Sequence, residues 1–324
     1  MWGRVETRSG REFIVMTDQC PLAWQNGKHI PYSDAVIPVW DLGVVAGATV
    51  SEMARTYHHL PFRIRKHLAR LAISCRELGF SLPYSELELA DAATSIVEVN
   101  SRSLEETSDL GIVWFVTAGL NPTYALDITR SGPTVCVHTF RLPFRHWQDA
   151  VRSGVQLTVP EQRHLPAGSF PVQHKVRNRL HWWLADRAAN KSRPGSRALL
   201  ADEGGQITET STACFYAVMN DTVLTARNGV LRSTTRDLVG DLCDQVGIRF
   251  SVSDLPTEQI GNFEEAFLSS TPSGLLPVGS IDDHKLPGPA GPVIQHLQAE
   301  WTRITGVDTF QQILYDQEQA RNSQ

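Results

Sequence analysis

The residue with the clearest chemical potential is Lys175, in the stretch SFPVQHKVRNRLHWWL at residues 169–184. Only five of the 30 Lys and Arg residues are lysines, and the other four lie in turn-like or strongly charged segments. Lys175 instead lies between a Pro-bounded extended run and an apolar helical pattern. Apolar surroundings lower the pKa of a lysine and free its amine for Schiff-base chemistry. An ordinary surface lysine is the alternative, because lysines are seldom buried.

A second feature, the segment RSTTRDLVGDL, would complement Lys175 if the ligand were a phosphorylated aldehyde such as pyridoxal phosphate. Thr234 and Thr235 follow Ser233 at the predicted start of a helix, where backbone N–H groups bind phosphate. Asp237, three residues after Thr234, indicates a capping box. An ordinary helix cap without a ligand is the alternative.

Two charged residues complete the constellation. Glu209, at the end of a predicted hairpin strand, is a candidate partner for a pyridine nitrogen that must stay protonated. Arg70, on a helix face shared with His67 and Ser74, is a candidate bidentate ligand for the phosphate. A solvated strand-end glutamate and a plain polar helix stripe are the alternatives.

The elements that must position these residues alternate between helices and strands. Helical periodicity runs through Leu68 to Leu78 and through residues 84–100, and buried strands are predicted at 110–119 and 133–142. The second half contains two predicted hairpins, with turns DEGG and MNDT, and helices that begin near Leu180, Ser233 and Gly291. The length of the chain and a change in the sequence pattern near residue 145 predict two domains, 1–145 and 146–324.

Composition excludes several classes of function. A net charge of -5 and a pI near 6.1 give no reason to expect nucleic acid or a membrane as partner. The five cysteines are widely spaced without metal-ligand spacing, so no metal site is predicted and reduced thiols are expected. Neither a signal core nor a membrane-spanning apolar run is found, which predicts a cytoplasmic protein.

In order and spacing, these motifs resemble the fold-type IV, or class IV, pyridoxal-phosphate aminotransferases. The resemblance runs through WDLGVVAGATVSEMAR, HLARLAISCRELGF, HKVRNRL, LLADEGGQITETS, GVLRSTTRDLV and EEAFLSSTPSGLLPVGS, and covers nearly the whole chain. It implies an α+β fold with an N-terminal α/β domain and a C-terminal domain with a barrel-like sheet and helices. It also implies a homodimer, with pyridoxal 5'-phosphate between the domains.

The resemblance also implies a role for each matching residue. Lys175 would form the Schiff base and shuttle protons, and Glu209 would bond the pyridine nitrogen. The remaining matches are the phosphate ligands Arg70, Thr234, Thr235 and Thr271. Glu52, in VSEMAR, matches a glutamate near the domain interface for which a structural role and a catalytic one are both open.

The implied activity is a ping-pong transfer of an amino group from an amino acid or primary amine to a 2-keto acid. A lyase similar to aminodeoxychorismate lyase is the alternative, because KVRNRL resembles the Lys-x-x-Asn-Arg-Leu pattern of that branch. A non-catalytic relative is the third hypothesis.

Several positions depart from the family pattern. Ser233 replaces a glycine, a mild change if φ is negative, and Cys214 replaces an asparagine. Pro272 has no N–H with which to hold a substrate carboxylate. Thr123 and Ala125 stand where D-amino-acid aminotransferases have an arginine and a histidine, and Ser51 replaces an aromatic residue. Three arginines are therefore candidates for the carboxylate: Arg55, Arg177 and Arg179.

Overall fold

The computed structural model describes residues 4–5, 13–14, 21–105, 107–124 and 132–315. Its described strands are β1 (Arg4–Val5), β2 (Phe13–Ile14), β3 (Leu22–Gln25), β4 (Lys28–Pro31), β5 (Thr49–Tyr57), β6 (Leu60–Pro61), β7 (Leu110–Thr117), β8 (Val135–Arg141), β9 (Val155–Thr158), β10 (Arg197–Ala201), β11 (Ile207–Thr210), β12 (Cys214–Met219), β13 (Thr222–Ala226), β14 (Arg249–Ser253), β15 (Glu265–Ser270), β16 (Gly274–Ile281) and β17 (His284–Lys285). Its described α-helices are α1 (Leu42–Val45), α2 (Ile64–Glu77), α3 (Glu86–Asn100), α4 (Gln148–Ser153), α5 (Leu180–Ser192), α6 (Thr234–Val246), α7 (Pro292–Thr305) and α8 (Thr309–Leu314).

The first half contains a six-stranded sheet in the order β4-β3-β8-β7-β5-β6. Helix α2 packs on β5 and α3 on β8, and the core between them includes Leu68, Leu71 and Trp114. Helix α3 begins with a reciprocal capping box between Ser85 and Glu88. The helices and strands predicted for this half are therefore present, and their apolar faces form one core.

The segment YHHLP forms the tight hairpin β5-β6, although the pattern of the sequence predicts all four residues HHLP as its turn. The turn consists of His58 and His59 alone, both with positive φ (50° and 60°), as a two-residue hairpin turn requires. Leu60 and Pro61 belong to the second strand. The turn thus directs the chain from β5 into α2, the helix that carries Arg70.

The second half contains a nine-stranded sheet that closes on itself. Among the described residues, the strands β9, β10, β11, β12, β15 and β16 form a ring, because β11 pairs with β12 as well as with β10. The closing pair joins Glu209 to Cys214. This ring is the barrel-like sheet expected from the family resemblance, and Glu209 lies at its seam.

The N-terminus of α6 corrects one sequence prediction. Ser233, not Thr234, is the N-cap: its side chain accepts a hydrogen bond from the Arg236 N–H, and its φ is -86°. The capping box between Thr234 and Asp237 is therefore wrong, since Thr234 is already the first helical residue. The negative φ makes serine acceptable where the family has glycine, as expected.

The strands up to β8 and those from β9 onward belong to different sheets, and the predicted domain boundary lies in the interval between β8 and β9.

Among the described residues, none of the helices combines the length and hydropathy that crossing a membrane needs. Four cysteines are described, and all are buried free thiols: Cys75, Cys136, Cys214 and Cys243. Cys20 lies outside the described residues.

Candidate active site

A cavity of about 240 Å³ lies between the two halves of the chain. Its walls come from β5, from the segment before α5, from β11 and the loop after it, from the start of α6 and from the β15–β16 turn. The lining includes Lys175, Arg70, Glu209, Thr235 and Thr271, which sequence analysis had selected from five separate segments. The fold therefore brings together residues more than 200 positions apart.

Lys175 is held by its backbone against the first-half sheet. The Ser51 N–H donates to the Lys175 carbonyl (2.7 Å), and the Arg177 N–H donates to the Thr49 carbonyl (2.9 Å). Burial in the cavity wall, with the Arg70 cation as second cause, lowers the pKa of Lys175 to about 8. A larger fraction of its amine is therefore unprotonated near neutral pH than for a surface lysine.

Glu209 is buried, with few partners. Its Oε2 accepts a hydrogen bond of 3.4 Å from the Leu231 N–H, and its Oε1 lies 3.9 Å from Nε2 of His164, too far for a hydrogen bond. Burial raises the pKa of Glu209 to about 7, although the Lys175 and Arg179 cations act in the opposite direction. A carboxyl group in this state is poised to bind a cationic N–H donor.

Glu52 forms a separate, fully paired cluster with Arg70 and His67. Its two oxygens accept from Arg70 Nε (2.7 Å) and Nη2 (2.6 Å), from His67 Nδ1 (3.1 Å) and from the Met53 N–H (2.7 Å). Burial alone would raise the pKa of Glu52, but the Arg70 cation and the hydrogen bonds hold it well below its usual range. The geometry gives Glu52 the structural role, that of fixing Arg70.

Arg70 keeps donors for a ligand despite this pairing. Its Nη1 donates to the Arg232 carbonyl (2.8 Å), so three of its five N–H groups are bonded to Glu52 or Arg232. The two remaining N–H groups are on Nη1 and Nη2. Because Arg70 lines the cavity, it can bind an anion there without breaking the Glu52 pair.

The N-terminus of α6 forms another wall. Ser233 and Thr235 line the cavity and share a hydroxyl–hydroxyl hydrogen bond of 2.8 Å. Thr234 is not among the lining residues, and its buried Oγ1 has no hydrogen-bond partner among the described residues. The first N–H groups of a helix have no acceptor within the helix, which makes this end an anion site.

The β15–β16 turn carries Thr271 and Pro272, and both line the cavity. Arg55 holds this turn from outside: its Nη1 donates to the Pro272 carbonyl (3.1 Å) and its Nη2 to Gln312 Oε1 (2.8 Å). Arg55 is buried, stacks on Tyr57 at 4.1 Å and does not line the cavity. Of the three candidate arginines for a substrate carboxylate, Arg177 and Arg179 therefore remain.

The two positions compared with D-amino-acid aminotransferases are Thr123 and Ala125. Thr123 is exposed and does not line the cavity, and Ala125 lies outside the described residues.

Sequence analysis also missed a group behind Glu209, made of His164, His181 and Trp182. The ring centroids of His181 and Trp182 are 3.7 Å apart, with the planes tilted by 37°, and the His164 ring lies 5.6 Å from that of Trp182. No sequence signal marked His164, a lone histidine in a loop between two prolines.

Pyridoxal phosphate fits this arrangement. A lysine of lowered pKa can hold its aldehyde, and a buried glutamate with an unused face can bond its pyridine nitrogen. The α6 terminus, with its unpartnered Thr234 hydroxyl, and Arg70 can receive its phosphate. The fold and the site thus define a class of proteins, the pyridoxal-phosphate enzymes with a two-domain α+β fold.

Comparison with known proteins narrows this class. The class IV amino-transferase family matches residues 49–281. The D-alanine aminotransferase of Bacillus licheniformis is 27% identical over 280 residues, which cover 84% of this chain and 93% of that protein. The putative branched-chain-amino-acid aminotransferase of Methanocaldococcus jannaschii is 28% identical over 260 residues, covering 79% and 86%.

Among solved structures, the branched-chain amino acid aminotransferase of Thermobaculum terrenum in its PLP form has the same fold, with a TM-score of 0.77 at 20% identity. The match covers 90% of this chain and 95% of that one. The chain belongs to the class IV aminotransferase family. It is a pyridoxal-phosphate-dependent transaminase, which moves amino groups between amino acids and 2-keto acids.

Proposed function

We propose that Lys175 is the catalytic lysine of this transaminase and that Glu209 bonds the pyridine nitrogen of its cofactor. The observation that carries the proposal is the shared cavity, in which a half-buried lysine of lowered pKa and a buried glutamate of raised pKa both line the walls. Opposite perturbations of a base and an acid within one cavity are typical of functional sites.

Lys175 performs the proton transfers. When bound, pyridoxal 5'-phosphate supplies an aldehyde carbon that takes up the amino group and a ring that accepts the electrons of the broken bond. Once the substrate amine has displaced it from the aldehyde carbon, the unprotonated Nζ of Lys175 would move the proton from the substrate α-carbon to the cofactor's neighbouring carbon. One water would then release the donor as a 2-keto acid, and the reverse steps would give the amino group to a second 2-keto acid and return that water.

Glu209 and the phosphate ligands hold the cofactor in register with Lys175. The ionised carboxylate of Glu209 keeps the proton on the pyridine nitrogen, so that the ring remains an electron acceptor. The phosphate is bound by the N–H groups of Thr234 and Thr235, by the Thr271 hydroxyl and by Arg70. Because Glu52 already orders the Arg70 side chain, little conformational entropy is lost when the phosphate binds.

Recognition of the substrate carboxylate falls to Arg177 or Arg179 in this proposal. Both line the cavity and follow Lys175 closely along the chain, and desolvation lowers the pKa of both guanidinium groups. A guanidinium group of Arg177 or Arg179 would bind the carboxylate from a side chain, whereas Pro272 has no backbone N–H to do so. The carboxylate is therefore bound by side-chain charge here.

We further propose a homodimer and a division into domains at residues 145 and 146. Exposed large apolar side chains concentrate in the segment 32–45 and on the outer face of α5, where Trp183 is 53% exposed. Both regions flank the Lys175 segment, and apolar surface of this kind is typical of an interface. Sedimentation equilibrium of the purified protein should give twice the 36.0 kDa chain mass; a monomer at micromolar concentration would disprove the homodimer.

The free thiols support the cytoplasm as the proposed location.

Replacing Lys175 tests the central assignment. We expect Lys175→Ala to lose the visible absorption band of the lysine-bound cofactor and to slow amino transfer by about a thousandfold or more, because the proton-transfer base is lost. The band and the transfer are followed with a panel of L- and D-amino acids and amines, each with a 2-keto acid acceptor.

Lys191→Ala is the matched control, because Lys191 is an exposed lysine at the end of α5. It should retain the band and the activity. The assignment fails if Lys175→Ala keeps its fold by circular dichroism and still transfers amino groups at the rate of the control.

A further inference from the structure

The imidazole of His164 is placed directly behind Glu209, and its hydrogen bonding is constrained. Its Nδ1 lies 3.1 Å from the Leu165 carbonyl, which can only accept, so Nδ1 carries the proton. In the neutral ring, Nε2 then presents a lone pair. That atom is buried and has no hydrogen-bond partner among the described residues, and it faces Glu209 Oε1 at 3.9 Å.

At 3.9 Å, Nε2 and Oε1 do not form a hydrogen bond. A lone pair facing a carboxylate oxygen is repelled, whereas a single proton between the two atoms would make a hydrogen bond of about 2.7 Å. Among the described residues, Nε2 has no other hydrogen-bond partner, so the two groups would satisfy each other once they share a proton across this gap. Oε2, the other oxygen of Glu209, faces the Leu231 N–H instead.

The surroundings decide how that proton is shared. Burial lowers the pKa of His164, while the Asp202 carboxylate raises it. Burial raises the pKa of Glu209 to about 7, and Lys175, Arg179 and Arg236 lower it.

Among the described residues, the ring of His181 is another titratable neighbour of His164, with centroids 5.7 Å apart, and burial lowers the pKa of His181 to about 4. His181 is therefore neutral near pH 7 and adds no charge to the pair. The raised pKa of Glu209 and the lowered pKa of His164 favour the shared proton on Glu209 when no cation is bound, and a cation at Glu209 would favour its transfer to His164.

We propose that His164 is a positioning residue, which shares one proton with Glu209 and thereby turns the carboxyl group so that Oε2 faces the pyridine nitrogen of the cofactor. The inference rests on the proposed role of Glu209. When the protonated pyridine nitrogen binds, the proton on Oε1 moves to Nε2, and the carboxylate lies between two N–H donors. No proton is gained or lost in this exchange.

The test compares two replacements of His164 in the reconstituted holoenzyme. His164→Phe keeps the ring volume but cannot share a proton, whereas His164→Gln can still form one hydrogen bond to Oε1. Cofactor affinity is measured by fluorescence titration. Protonation of the pyridine nitrogen is measured by the nitrogen chemical shift of ¹⁵N-labelled cofactor as a function of pH.

We expect His164→Phe to weaken cofactor binding roughly tenfold and to lower the midpoint of pyridine deprotonation by about one pH unit, the effect of losing one charge-assisted hydrogen bond. His164→Gln should recover most of both. His181→Phe is the matched control, since the His181 ring contacts those of Trp182 and His164 and, among the described residues, has no hydrogen bond or ion pair with Glu209; it should leave both quantities unchanged.

Wild-type-like binding and protonation in His164→Phe would overturn the proposal, and so would equal losses in the Phe and Gln variants, because packing alone would then explain them. Should His164→Phe not fold, the unaltered holoenzyme decides: labelled histidine must show a low-field Nε2 proton that disappears in Glu209→Gln. Its absence also overturns the proposal. If only the role of His164 is wrong, the absorption band that depends on Lys175 is still observed. If the proposed function itself is wrong, that band is absent.

Discussion

The two buried glutamates beside Lys175, Glu52 and Glu209, differ in their hydrogen-bond partners and in the direction of their pKa shifts. Glu52 accepts four hydrogen bonds, two of them from Arg70, and its pKa is held well below the usual range. Glu209 accepts a single long bond from Leu231, and its pKa is raised to about 7. Burial is nearly the same for both, at 1% and 6% exposure.

The difference shows that partners, rather than burial, decide whether a buried carboxylate is already satisfied or still open to a ligand. Glu52 uses its hydrogen-bonding capacity to fix Arg70 and is complete without a ligand. Glu209 is incomplete, and a cation in the cavity would relieve the cost of its ionisation. Eight buried side-chain polar atoms have no hydrogen-bond partner among the described residues, and four of them belong to the segment 164–182: those of His164, Arg179, His181 and Trp182. The Glu209 side of the site is thus one of the places where a ligand could satisfy such atoms.

The largest effect is expected from Glu52→Gln, which breaks the paired cluster and leaves the Arg70 cation buried without a counter-charge. We expect the free energy of unfolding at pH 7 to fall by about 3 kcal/mol. The pKa of Glu52 is lowered in the folded state, so its contribution is fully present above the unfolded-state pKa, begins to fall at about pH 4 and is lost progressively as the pH falls through the folded-state pKa. Urea unfolding at pH 7 and at pH 4 measures both.

Glu98→Gln provides the control for this experiment, because Glu98 forms an exposed i,i+4 ion pair with Arg102. Its effect should stay within about 0.5 kcal/mol. An equally small loss for Glu52→Gln would show that the buried cluster adds no stability, and the contrast between the two glutamates would then be wrong.

A smaller effect of opposite sign is expected from Glu209→Gln in the cofactor-free protein. The folded-state pKa of Glu209 is raised to about 7 from 4.5, so the folded state binds the proton more tightly than the unfolded chain. Wild-type stability therefore falls as the pH rises from 4.5 to 7, and glutamine removes this loss. Relative to wild type, the variant should gain about 2 kcal/mol between about pH 5 and pH 8.

Glu203→Gln, at an exposed position in the same hairpin, is the control and should show no such pH dependence. Thermal and urea unfolding at the two pH values give the comparison. If the stability difference between Glu209→Gln and wild type does not change with pH, Glu209 is already ionised without a ligand. The claim that Glu209 and Glu52 have opposite pKa shifts would then be wrong.

Much of the fold could be predicted because its signals are local. The helix that carries Arg70, the strands at 110–117 and 135–141 and both hairpins of the second half follow from periodicity and turn residues that lie within a few positions of one another. The start of α6 was misplaced by one residue, since Ser233, Thr234 and Thr235 are all good caps and only the backbone angles decide among them.

The candidate site was predictable in its members and unpredictable in its electrostatics. Motif order selected Lys175, Arg70, Glu209, Thr235 and Thr271, which all line the cavity. The sequence did not distinguish Arg55 from Arg177 and Arg179 as a ligand for the substrate carboxylate. In the structure, the Arg55 side chain is hydrogen-bonded to Pro272, Gln312 and Asp109. These partners lie up to 257 residues away along the chain, and no spacing rule reaches that far.

The sequence by itself determined the order of the motifs, the local elements that carry them and the family to which the chain belongs. Only the tertiary structure decided which buried glutamate is paired, which arginine is free and which histidine lies behind Glu209. The physical reason is that secondary structure depends on neighbours along the chain, whereas a pKa and a hydrogen bond depend on distances through space of about 3 to 4 Å.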